Sequence, residues 1–336
     1  MTDKIIFDIQ MFAAGDVVNA TTSAELSPEM KTFYEKTLIT LAGPRLVHEQ
    51  FGQKKPIPKN GGKTIEFRKF SKLPKALNPI TEGVTPTGNK LNVTAVTATV
   101  DQYGDYIEQT DLLELTAIDN TIVEATKELS DQAGLTLDTV VRNELCAGTN
   151  VMYAPSVDAD GNETEITSRS ALTMNCKLRV KDVFQAAAEL KAVNAPKIDG
   201  CYVAIIHPYV AYDLMQEAGD QWMEIHKYAH PENIFRGEIG QLGGVRFVES
   251  TEAKIIKESE LAVFCTLFLG ANAYGVTDIE GGGLEHIVKQ KGYGNDPLNQ
   301  RSSVGWKATK VAKRLLEEYL IRFESCSTFS TKAEEN

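Results

Sequence analysis

Several clusters in this chain have residue types and spacings that could carry chemistry. Gly237, Gly240, Gly243 and Gly244 in GEIGQLGGV invite comparison with a dinucleotide-binding loop. That loop needs G-x-G-x-x-G between a strand and a helix. Here the glycines precede VRFVES, which reads as a strand, so they predict a turn with positive φ and no cofactor. His226 and His230 stand four apart, with His207 upstream. Zinc could use such a spacing on a helix, but Trp222, Tyr228 and Pro231 mark this segment as an aromatic loop. The histidines therefore read as packing or interface residues, and no metal is expected. DADGNE (158–163) has Asp158, Asp160 and Asn162 at calcium-loop spacing. Its Gly161 comes too early and no closing glutamate follows, so it reads as a hairpin turn. No G-x-S-x-G nucleophile elbow occurs and no acid pair is marked by spacing, so an enzyme is not expected. The run KKPIPK with Lys63, Arg68, Lys69, Lys72 and Lys75 is basic. It is either a solvated face or one that sets electrostatic register against an acidic neighbour.

These clusters sit in a chain of 336 residues with 42% hydrophobic content, enough for one large or two modest cores. Net charge is −11, which argues against a protein that wraps nucleic acid by neutralising phosphates. Cys146, Cys176, Cys201, Cys265 and Cys326 lack metal or redox-pair spacing and read as reduced, mostly buried thiols. Asp8 and Gln10 interrupt the apolar run of MTDKIIFDIQMFAAG, against a signal peptide. No segment approaches the apolar length of a membrane span, so no membrane partner is expected.

The elements follow from periodicity. Ser27-Pro28-Glu29 is a helix start, and a helix is expected to about Leu41. KTIEFRKF alternates as a strand, and LNVTAVTATVDQYGDYIEQTD reads as a second, longer one. Between them, LPKALNPITEGVTPTGNK is rich in proline and glycine. The simplest assembly is a long antiparallel hairpin with its tip near 74–90. Such a ribbon is marginal alone in water, so it must lie on another surface. Residues 116–147 carry Ile118, Ile122, Ala125, Leu129, Ala133, Leu137, Val140 and Leu145, the stripe of one long helix, with Arg142 off it. VKDVFQAAAELKAV and PYVAYDLMQEAG predict helices around the buried strand CYVAIIH. The C-terminal region reads as sheet, although KVAKRLLEEYL has helix-forming composition. The fold class is α+β.

The chain resembles the major capsid proteins of tailed bacteriophages, which share the HK-type capsid fold. The likeness lies in TEGVTPTG with its following Thr/Val strand, QYGDYIEQTD (102–111), the long helix to Asn143-Glu144-Leu145, GEIGQLGGVRFVES (237–250) and DPLNQRSSVGWKA (296–308). The opening MTDKIIFDIQMFA also looks like that of phage head proteins. The resemblance implies an N-terminal arm and helix at 1–51 and an extended β-hairpin loop at 52–110. It further implies a peripheral domain with a spine helix at 111–178, an axial domain at 179–275, and return strands and tail of the peripheral domain at 276–336.

On this resemblance the chain is a structural protein that self-assembles, as hexamers and pentamers, into an icosahedral head around double-stranded DNA. It belongs to the virion, is assembled in the host cytoplasm, and has scaffold, portal and decoration proteins as further partners. Its surplus negative charge suits an inner wall that does not grip the genome. The contact residues expected are Glu82, Val84 and Pro86 at the ribbon tip, Phe33 and Tyr34 on the arm helix, and Trp306 on the returning strand. Gly240, Gly243 and Gly244 shape the axial turn. Two other readings stand beside this one. An α/β hydrolase-like enzyme at 180–275 predicts a deep pocket with converging polar groups. A phage tail or baseplate component predicts tubes or rings.

Overall fold

The computed structural model describes residues 18–21, 46–70, 73–77, 79–80, 82–83, 85, 88–116, 121–158, 160–219, 223–224, 237–258 and 260–336. It is a mixed α+β structure of two compact units. One comprises Met1–Leu41, Gly104–Ser130 and Glu285–Lys307; the other comprises Ala42–Tyr103, Asp131–Leu284 and Ala308–Asn336. The expected helix to Leu41 lies outside the described residues.

In the first unit a small sheet forms around the strand Asp101–Thr110. Val18–Thr21 pairs with it in parallel, Val18 opposite Glu108. The strand Arg301–Arg314 lies on its other side and pairs with Glu285–Lys289, placing His286 opposite Trp306. Gly104 is required here, because a Cβ would stand 2.6 Å from the Trp306 carbonyl oxygen.

The second unit is built on an eight-stranded mixed sheet with Leu261–Leu269 near its centre. That strand pairs antiparallel with Leu320–Ser325, Tyr202–Ile206 and Ile255–Glu258. Phe247, Phe268 and Phe323 form an edge-to-face row across the sheet, with centroids 6.4 and 6.3 Å apart. Each such side chain, fully buried, stabilises the fold by about 1.5–3 kcal/mol. The helix Val180–Ala192 buries Val183, Ala186, Ala187 and Leu190. Arg179 is its N-cap residue, and Asp182, three positions in, accepts the Arg179 backbone N–H at 3.0 Å. Pro208–Ala218 starts on a proline and stops at Gly219, where φ is 47°.

The long helix runs Thr121–Cys146, 26 residues, or roughly 39 Å. Ala125, Leu129, Ala133, Leu137, Val141 and Leu145 are buried at steps of four, and Val141 takes the place expected of Val140. Arg142, expected off the buried stripe, is also buried, as are Asp138, Ser130 and Thr126. Buried polar groups need partners. Thr126 and Ser130 donate to carbonyls four residues back, and Arg142 donates to the Glu252 carbonyl at 2.9 Å.

Candidate assembly interface

The ribbon is shorter than its sequence predicts. Thr64–Phe70 pairs antiparallel with Val93–Thr99, from Thr64 opposite Thr99 to Phe70 opposite Val93. Seven residues per arm span roughly 23 Å. The expected second arm is two strands, parted at Val100. This residue is buried, and its N–H donates to the Lys63 carbonyl at 2.8 Å. Residues beyond it, Asp101–Thr110, pair in the other sheet.

Among the described residues, the apolar side chains covered by their own chain lie at the root of the ribbon. Ile57, Ile65, Phe67, Ala98 and Val100 form a small core, with Val96, Ile279, Val311 and Leu315 against it. Phe67 is seated on Gly275, where a Cβ would come within 2.7 Å of the ring. Further out the apolar side chains are bare. Leu77 is 79% exposed and Ile80 76%, and Leu73, Leu91 and Val93 are also open. Several large apolar side chains left open along one segment point to an interaction site. A groove of about 850 Å³ beside the root is lined by Phe67, Val96 and Leu315 together with the charged residues Lys55, Glu66 and Arg68.

The residues singled out by sequence fall as follows. Glu82 is exposed in a turn beside Gly83, whose φ is 79°. Val84, Pro86, Phe33 and Tyr34 lie outside the described residues, as do His226 and His230. Trp306 is 3% exposed. In the single chain it therefore has little surface to offer a neighbour. Gly243 and Gly244, with φ of 62° and 84°, make the turn between Glu238–Leu242 and Val245–Glu249. Gly240 is not in that turn; it lies in the strand, at a register shift. His207 caps a helix, its Nδ1 accepting the Tyr209 backbone N–H at 3.1 Å. Asp158 turns the hairpin of Ser156–Val157 with Glu163–Thr164, accepting from the backbone of Asp160 and Asn162. Among the described residues no cluster of His, Cys, Asp or Glu could hold a metal.

Sequence reasoning missed two polar networks that brace this region. Glu49 meets Lys310 at 2.5 Å and Lys54 at 2.8 Å. His48 meets Asp138, 90 residues away. The Glu49–Lys310 and His48–Asp138 pairs are too far apart in sequence to leave a local signal.

A family model of phage capsid proteins matches residues 48–279, well over half of the chain. The chain belongs to the phage capsid protein family. This capsid protein matches no curated protein. Its fold recurs in solved phage capsids. It is similar to the capsid of Ralstonia phage GP4 at 14% identity and TM-score 0.62, covering 85% of this chain and 89% of that one. The capsid of cyanophage P-SCSP1u also shares 14% identity, with TM-score 0.59, over 84% and 89% of the two chains. Cyanophage Pam1 gives 13% and 0.57 over 96% and 100%. At such identity the likeness is one of fold. As a capsid protein the chain is structural and non-enzymatic, a component of the phage head.

Proposed function

We propose that this capsid protein closes into an icosahedral shell by laying its ribbon on a neighbouring copy. The observation that carries this reading is the contrast along the ribbon, covered at Phe67 and bare at Leu77 and Ile80. A two-stranded ribbon with uncovered apolar residues is unstable in water unless something packs on it. In a shell a second copy is always beside it. Each contact is individually modest, and affinity multiplies because every subunit makes several.

In this reading residues 52–110 form the extended loop, with Glu82, Val84 and Pro86 at its contacting end. Residues 1–51 form the arm, with Phe33 and Tyr34 as its anchors. Residues 111–178 and 276–336 form the peripheral domain, and 179–275 the axial domain with its Gly243–Gly244 turn. Capsomers are hexamers and pentamers, and double-stranded DNA fills the interior. The net charge of −11 gives the genome little to adhere to.

Electron microscopy of the purified protein is the test. Closed shells support the reading; tubes, rings or a small discrete oligomer overturn it. Deleting residues 74–90 is expected to leave a folded, soluble subunit that makes no shells. Normal shells from that deletion would remove the ribbon from the mechanism.

A further inference from the structure

The strand Ile255–Glu258 pairs on one side with Leu261–Leu269. The Cys265 N–H donates to the Lys254 carbonyl at 2.9 Å, so Lys254, Ile256 and Glu258 aim their backbone groups at that strand. Backbone directions alternate along an antiparallel ladder. The N–H and C=O groups of Ala253, Ile255 and Lys257 therefore face the opposite edge. Such an edge is a template for another chain unless something covers it.

Residues 334–336 cover part of it. The Asn336 side-chain amide acts as one residue of an added strand would. Its Oδ1 accepts the Ile255 N–H at 2.9 Å, and its Nδ2 donates to the Ala253 carbonyl at 3.2 Å. Charge holds the segment in place. Lys254 donates to the Asn336 backbone oxygen and lies 4.0 Å from Glu335, and Lys257 pairs with Glu334 at 2.8 Å. The preceding turn is fastened to the sheet. The Ser330 hydroxyl donates to the Ala262 carbonyl at 2.8 Å, the Ser330 carbonyl accepts the Ala262 N–H at 3.0 Å, and Ala333 is buried.

We propose that the outer edge of Ile255–Glu258 is a strand-addition site, held closed by Glu334, Glu335 and Asn336, and that the same edge of a second copy occupies it when they are removed. Charge complementarity selects that occupant. Two copies of one edge can pair antiparallel about a twofold axis. Hydrogen-bonded pairs form between outward-facing residues. The register that sets Ile255 of each copy opposite Lys257 of the other also sets Lys254 opposite Glu258, twice by symmetry. Opposite charges facing each other across strands are favourable. Glu258 of the second copy thus takes over the Lys254 partnership that Glu335 has in the closed state.

The site is independent of the ribbon, which uses other residues. The capsid reading gives it a purpose. Assembly brings many copies together at high local concentration, and an open sheet edge there would join subunits in the wrong geometry.

The test uses the full chain carrying Glu334→Ser, Glu335→Ser and Asn336→Ala together, beside the wild type, both as unassembled subunits. Hydrogen exchange at the Ile255 amide and mass by light scattering are read over a range of concentration. In dilute solution the Ile255 amide should exchange roughly tenfold faster in the variant than in the wild type. As concentration rises its protection should return, and a dimer should appear. Adding Lys257→Pro removes an outward N–H at a position where an edge strand tolerates proline, and it should abolish the dimer. Asn336→Ala alone carries the same two readouts should the triple variant fail to fold. Equal exchange of Ile255 in wild type and variant overturns the proposal. So does a variant that stays monomeric at every concentration, or a dimer that persists with Lys257→Pro. None of these readouts involves shells, so their outcome and that of the capsid reading are separate.

Discussion

Asp138 holds His48 from two directions. The His48 backbone N–H donates to Oδ1 at 2.8 Å, and the ring Nδ1 lies 2.6 Å from Oδ2, with both side chains at 0% exposure. The Tyr274 hydroxyl donates to the His48 carbonyl. The segment that leads into the ribbon is thereby tied to the long helix and to the strand Tyr274–Thr277. Asp138→Ala leaves a buried backbone N–H and a ring nitrogen without their acceptor. It should cost roughly 3 kcal/mol, read from chemical denaturation, while Asp138→Asn keeps one acceptor and loses less. A cost below about 1 kcal/mol for the alanine variant would refute this role.

The Phe67 ring and Gly275 are fitted to each other, and their substitutions should not add. Gly275→Ala drives a methyl into the ring and should cost about 1–3 kcal/mol by overpacking. Phe67→Ala empties the ribbon root and should cost about 3–5 kcal/mol. The double variant removes the clash, so its loss should fall short of the sum by about 1 kcal/mol or more. Strict additivity in a thermodynamic cycle would show that the two do not pack as described.

Leu77 and Ile80 separate folding from assembly. Each is more than three-quarters exposed, so Leu77→Ser and Ile80→Ser should change subunit stability by no more than about 0.5 kcal/mol. The yield of shells should fall sharply in the double variant. Thermal melting of the subunit and micrographs of the same preparation check both halves. Unchanged shell yield would point to another docking surface.

His207 gives the protein a pH dependence with a definite sign. Burial lowers its folded pKa from 6.5 to about 4. In the neutral ring Nδ1 accepts the Tyr209 N–H, so a proton placed there removes the helix cap. A depressed pKa means that the unfolded chain binds the proton first. His207 therefore contributes its full stability above about pH 6.5, and that contribution is lost as pH falls toward 4. His207→Asn retains a capping acceptor without titrating. It should flatten the stability curve between pH 6.5 and 4; an unaltered slope assigns the acid sensitivity elsewhere.

Much of this architecture was legible from local pattern. Ala125, Leu129, Ala133 and Leu137 announced the long helix because residues four apart share a helical face. Pro208 and Gly219 marked the two ends of a helix because one fixes φ and the other tolerates positive φ. The Gly243–Gly244 turn was legible for the same reason, though Gly240 proved to be a strand residue.

Sequence by itself determined the kinds of element and their order, since propensity and periodicity act between near neighbours. It placed the C-terminal strand, despite the helix-forming KVAKR, where Ala308, Lys310 and Ala312 now alternate inward. Tertiary structure alone decided which strands pair, where the ribbon parts at Val100, and that Asp138 and Arg142 turn inward. Those outcomes depend on partners such as His48 and Glu252, about a hundred residues distant. A contact between such distant positions leaves no period in the chain; it exists only once packing has closed the loop between them.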